Sequence, residues 1–254
     1  MTSLGEEIYL LRAKVVDQIE VYNVISYHLL RSLTVPNACS FSDMTSCKHL
    51  LCLYISDPDA ECVHRLHNGN YTKWPVNDVP WSISVNAGHS LIVTCPIVRK
   101  IKEFSPRGDL LRDLTLPDDV ITPWHAIQLT NGQFIVCHGE RGDAMNRVCK
   151  VSEDGGHIMD SHGEQPCSNI GQYDEPSHLA LDGNEFVFVV DRRNRRVTLL
   201  SPKLECIRQV VSSDQFKWRP RRMCLDIQRC RLYVADNEFK RGKPMAGHVV
   251  VFSV

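Results

Sequence analysis

Short runs in which apolar and polar residues alternate recur along this chain, and no segment carries an apolar stripe of helical period longer than about three turns. The densest runs are Leu91-Ile92-Val93-Thr94, Phe134-Ile135-Val136-Cys137, Phe186-Val187-Phe188-Val189-Val190 and Leu232-Tyr233-Val234-Ala235. Their β-branched and aromatic content predicts buried strands. Each is preceded by a proline and a weaker alternating segment: Pro80-Trp81-Ser82-Ile83-Ser84-Val85, Pro123-Trp124-His125-Ala126-Ile127, Pro176-Ser177-His178-Leu179-Ala180-Leu181 and Pro220-Arg221-Arg222-Met223-Cys224-Leu225. The prolines are spaced by 43, 53 and 44 residues. Phe41-Ser42-Asp43-Met44 followed by Cys52-Leu53-Tyr54-Ile55 is a copy one period earlier.

Each unit continues into a third strand, as in Lys100 to Phe104 or Arg196 to Leu200, then a polar turn such as Ser105-Pro106-Arg107-Gly108. A fourth strand follows, as in Leu110 to Leu114. Four antiparallel strands every forty-odd residues describe a blade of a β-propeller. A β-sandwich with regular turns is the alternative, but it does not explain the recurring proline anchor and strand order. The expected architecture is all-β, a single six-bladed propeller over 1–254 with units near 8–37, 39–79, 80–122, 123–175, 176–219 and 220–254. In the first unit, Ile8 to Leu11, Ile19 to Tyr22 and Leu29 to Val35 read as second, third and fourth strands with the first absent. The last unit ends after its third strand at Val249 to Val254, so ring closure is expected to be incomplete at the N-terminus. Either N-terminal residues supply a makeshift closing strand, or the chain is a piece of a longer one; an unpaired edge there would favour aggregation.

Asp191-x-x-Asn194-x-Arg196-Val197, with Phe186 to Val190 before it, Leu199-Leu200 after it and Gly171-Gln172-Tyr173 ahead of Pro176, resembles the signature of NHL repeats. Asp236-Asn237 and Ser56-Asp57 keep fragments of it. The resemblance implies a recognition module of the kind found in RING and B-box ligases. Some such propellers bind RNA, and more distant six-bladed relatives are amidating lyases or lactonases. This chain holds no RING-type Cys/His array and no coiled-coil heptads, so ligase activity is not carried over and a RING or B-box module would have to lie upstream. In the signature, a carboxylate facing an Arg a few residues on pins a turn, which makes Asp191 and Arg196 structural.

Composition changes this picture in two ways. No run of eighteen apolar residues exists and the segment from Met1 to Glu7 is polar and acidic, so neither membrane insertion nor secretion is expected and the compartment reads as cytoplasmic. Eleven Cys without zinc-finger spacing fit a reducing compartment as small buried hydrophobes. Second, the net charge of -1 hides an asymmetry: Asp191 to Val254 carries 15 Lys and Arg against 6 Asp and Glu, leaving 14 against 24 before it. Three basic segments hold Arg192, Arg193 and Arg195, then Lys217, Trp218, Arg219, Arg221 and Arg222, then Lys240, Arg241 and Lys243. Strand parity puts these loops on one face of neighbouring blades, with Phe216 and Phe239 interleaved. Such a patch suits a protein partner with an acidic segment, the leading expectation, or single-stranded RNA held by guanidinium forks and stacked rings.

The first strand of a blade lines the central channel, and the position two after the proline reads Ser82, His125, His178 and Arg222, with Asp43 matching in the earlier copy. Asp43, His125 and His178 have the donor types of a divalent-metal site, which would make the protein a metal-dependent lyase or hydrolase. A polar ring hydrating the channel is the preferred reading, with no metal and no cofactor. Nucleophile-elbow and phosphate-loop motifs are missing, which ranks binding above catalysis.

Overall fold

A computed structural model describes residues 1–11, 18–140, 145–163, 172–240 and 243–254, with backbone alone over 238–240 and 243–246. Six small antiparallel sheets follow one another along the chain. The first holds β1 (Thr2–Leu4), β2 (Glu7–Leu11), β3 (Gln18–Asn23) and β4 (Leu29–Thr34). The second holds β5 (Asp43–Cys47), β6 (Cys52–Asp57), β7 (Cys62–His67) and β8 (Asn70–Pro75). The third is β9 (Ser82–Val85), β10 (Leu91–Cys95), β11 (Lys100–Phe104) and β12 (Leu110–Thr115), and the fourth β13 (Pro123–Gln128), β14 (Phe134–His138), β15 (Arg147–Val151) and β16 (Ile158–His162). The fifth is β17 (Pro176–Leu181), β18 (Val187–Asp191), β19 (Arg196–Leu200) and β20 (Cys206–Val211). Only β21 (Arg219–Asp226), β22 (Arg231–Lys240) and β23 (Lys243–Ser253) make up the sixth. Helix among the described residues is confined to two single 3-10 turns. The chain is a six-bladed β-propeller.

Because side chains alternate across a strand, each central strand feeds two cores. In β10, Leu91, Val93 and Cys95 face the second blade while Ile92 faces the fourth. One buried apolar cluster lies between each neighbouring pair of blades, six in all around the ring. The sixth closes it: Met1, Ile8 and Val24 pack against Tyr233, with Val249 and Val251 alongside.

The expectation that the first unit lacks its first strand is corrected here. Thr2–Leu4 pairs with β2 in register Thr2 to Tyr9 and takes the innermost place of blade one. Three residues reading Thr-Ser-Leu carry no alternation long enough to be seen as a strand. They are held from both sides: Thr2 Oγ1 lies 2.8 Å from Ser46 Oγ, and Cys224 Sγ reaches Ser3 Oγ at 3.6 Å. The three-stranded last blade agrees with the sequence.

A repeated polar clasp fixes the loop entering a blade. A carboxylate on the second strand accepts backbone N–H groups from the incoming loop: Asp57 from Cys39 at 2.7 Å and Ser40 at 2.9 Å, Asp191 from Asp174 at 3.0 Å, and Asp236 from Trp218 at 3.0 Å. Asp191 also accepts from Asn194 Nδ2 and Arg196 Nε, both at 2.8 Å. The signature residues thus serve the fold, as their pattern predicts.

Candidate functional site at the channel mouth

Three of the innermost strands share one irregularity. The ladder slips between Pro123 and His125, between Pro176 and His178, and between Pro220 and Arg222. A bulge places two residues opposite one and re-aims their side chains. Trp81, Trp124 and Arg221, each one residue after the proline, keep part of their surface exposed and are called the mouth here, whereas the next residues Ser82, His125, His178 and Arg222 are buried together with Asp43 and are called the floor. His125, His178 and Arg222 follow a slip, while the strands of Ser82 and Asp43 pair without one.

On the floor, Asp43 is the centre. Its Oδ1 accepts the Met44 N–H at 2.9 Å and faces Arg222 Nε at 3.1 Å. Its Oδ2 accepts the Ile83 N–H at 3.1 Å, with His178 Nε2 at 3.6 Å and His125 Nε2 at 4.0 Å. The two imidazoles lie against each other, ring centres 4.0 Å apart. All four side chains are buried, Asp43 to 1% exposure. The structure thus joins buried side chains from blades two, four, five and six in one cluster.

Burial works against the Asp43 charge, but Arg222 and then His178 outweigh it and hold the carboxyl well below its usual range. Burial pushes His125 well below the usual imidazole range, helped by His178, and it lowers His178 against the pull of Asp43. Both shifts favour the uncharged imidazole in the folded protein. The unfolded chain takes up their protons below about pH 6.5 while the folded chain does not, so stability falls as pH drops. The urea midpoint is expected to fall steadily between pH 7 and pH 5, with a shallower slope in His125→Gln and His178→Gln. Equal slopes in the variants would remove these two residues as the cause.

Above the floor, the Trp81 and Trp124 rings sit 5.6 Å apart and the Arg221 guanidinium lies 5.6 Å from the Trp81 ring centre. Trp124 donates its Nε1–H to the Gly139 carbonyl at 2.6 Å, which fixes its ring. Both tryptophans and Arg221 stay partly exposed. The two tryptophans escaped the sequence reading, although the repeat alignment places both one residue after the proline. A Trp beside a strand reads as core unless that shared position is noticed.

The basic face is only partly as expected. Loops of blades five and six do meet, with Arg195 donating to the Phe216 carbonyl. Arg192 pairs with Glu175, and Arg193 with Asp174 at 3.1 Å. Arg222 belongs to the channel floor, and Phe216 is buried between blades rather than exposed in the patch. Lys217 and Arg219 are exposed; Lys217 Nζ lies 4.7 Å over the Trp218 ring, which stacks on His248 at 4.4 Å. Arg241 and the side chains of Lys240, Lys243 and Phe239 lie outside the described residues.

No family model matches the chain, and no curated protein matches it in sequence. Solved structures do share its fold. A protein of unknown function from Bacteroides caccae superposes with a TM-score of 0.69 at 11% identity, covering 92% of this chain and 84% of that one. A catalytically inactive histidine variant of virginiamycin B lyase from Staphylococcus aureus, with quinupristin, gives 0.66 at 12% identity, covering 91% and 75%. Hydrazine synthase of Kuenenia stuttgartiensis gives 0.65 at 12% identity, covering 92% and 75%. At these identities the likeness is one of fold. Among the described residues no helix is long and apolar enough to cross a membrane.

Proposed function

We propose that this propeller is a non-catalytic binding platform that receives a peptide segment or protein domain on its loop face, over the channel mouth. The observation that carries this reading is the contacting group of Trp81, Trp124 and Arg221, each of which keeps a minor part of its surface exposed. Tryptophan and arginine are enriched among the residues that dominate protein interfaces. The NHL-like repeat pattern supports the same use. Among the described residues, Lys217, Trp218 and Arg219 support single-stranded RNA, whereas Arg192 and Arg193 already have carboxylate partners.

The test is selection of a displayed random peptide library on the protein. Peptides enriched on the wild type are expected to bind Trp81→Ala and Trp124→Ala more weakly by about 2 kcal/mol or more, roughly thirtyfold. In parallel, anisotropy with a pool of short single-stranded RNAs is expected to show no micromolar binding at physiological salt. Salt-steep RNA binding that Lys217→Ser and Arg219→Ser abolish, with no peptide enriched, would replace the protein partner by RNA.

A further inference from the structure

We propose that Asp43, His125 and His178 form a binding site for one divalent transition-metal ion of the zinc class on the channel floor, beneath the tryptophan mouth. Carboxylate and imidazole donors in this ratio suit zinc and its first-row neighbours. Each of the three residues offers a donor atom, and the three atoms lie within 4.8 Å of one another. Donors about 2.1 Å from a common tetrahedral centre stand about 3.4 Å apart. The observed 3.6 and 4.0 Å between Asp43 Oδ2 and the two Nε2 atoms therefore need only small rotations of the rings to close on an ion.

The carboxylate is already divided for this role. Oδ1 is turned to Arg222 and the Met44 N–H, which orient it, while Oδ2 faces both histidines. Arg222 would thus act on the site through Asp43, as a positioning residue. The two rings are held by packing against each other, their Nδ1 atoms buried without a hydrogen-bond partner and their Nε2 atoms turned to Asp43.

The protein holds a second group of metal-ligating types, Asp57, Cys62 and His64, and it serves as the contrast. There His64 contacts Asp57 through Nε2 at 3.0 Å and Tyr71 through Nδ1, so both ring nitrogens are engaged. Asp57 is committed to the N–H groups of Cys39, Ser40 and Ala60, and burial pushes the Cys62 thiol up to about 11. That cluster is a structural network, and the channel floor is the site. Three protein ligands leave coordination positions open to water or a ligand group. Metal binding here does not depend on what the mouth recognises, because Trp81 and Trp124 contribute no donor.

The test is titration of chelator-stripped protein with Zn2+ by calorimetry and with Co2+ by visible absorption. The expected result is one saturable equivalent, with cobalt bands of low-symmetry oxygen and nitrogen coordination that Zn2+ displaces and no thiolate charge-transfer band. The double variant His125→Ala, His178→Ala, checked for folding by circular dichroism, is expected to lose at least about a hundredfold in affinity. Cys62→Ser is expected to bind as the wild type does. Absence of saturable binding to the wild type overturns the site, and so does a thiolate band in its cobalt spectrum. The cobalt spectrum needs no variant, so it decides even if the double variant fails to fold.

Discussion

Changing Asp43 to Ala, in the presence of a chelator, is expected to lower folding stability by about 3 to 5 kcal/mol, because it strands a buried guanidinium without its carboxylate. Arg222 is 7% exposed and would keep only the Arg221 carbonyl at 3.3 Å and Ser42 Oγ at 3.5 Å. The loss extends past one ion pair. Asp43 belongs to blade two, yet its carboxylate takes the Ile83 N–H of blade three, faces the histidines of blades four and five, and meets the arginine of blade six. Replacing both partners by apolar groups behaves differently, since no charge is then left buried alone; Asp43→Leu with Arg222→Met is expected to recover much of the loss. Urea denaturation followed by tryptophan fluorescence gives the numbers. A single variant within 1 kcal/mol of the wild type, or no recovery in the pair, would show that the cluster does not hold the ring together.

The blade count and strand order were legible because dense β-runs recur along the chain and prolines mark where four of the blades begin. Asp43, His125, His178 and Arg222 were legible as channel residues for the same reason: equivalent positions in equivalent strands converge on one axis. Their mutual contact was not, since the bulges before His125, His178 and Arg222 leave no mark in the spacing of the sequence. β1 stayed hidden because Thr2-Ser3-Leu4 is too short to show a period. The basic loops misled in another way. Asp174 and Glu175, which neutralise Arg193 and Arg192, sit in the previous loop and meet them only once blade five has formed. Phe216 looked like an exposed ring beside lysine and arginine, yet the 3-10 turn at Ser213–Gln215 drops it into the core between the last two blades.

Within the pentad from Arg192 to Arg196, the same residue type is expected to differ severalfold in what it contributes. Arg196 is 4% exposed; its Nε donates to Asp191 at 2.8 Å and its guanidinium reaches the Gln172 carbonyl. Asp191 is fully buried and spends its remaining capacity on Asn194 and on the Asp174 N–H. Arg196→Ala leaves that carboxylate buried without its cation and releases the loop that enters blade five, so a loss of about 3 to 5 kcal/mol is expected. Arg193 also pairs with a carboxylate, at 3.1 Å, but both side chains are more than a fifth exposed. Water already solvates them, so Arg193→Ala is expected to cost at most about 1 kcal/mol. Salt separates the two as well: raising ionic strength should weaken the Arg193 contribution and leave that of Arg196 nearly unchanged. Arg196→Lys should recover only part of the loss, because an ammonium lacks the fork that serves Asp191 and the Gln172 carbonyl together. Equal destabilisation by Arg193→Ala and Arg196→Ala in urea would mean that the Asp191 clasp does not anchor the blade, and that the signature residues of the repeat owe their pattern to something other than folding.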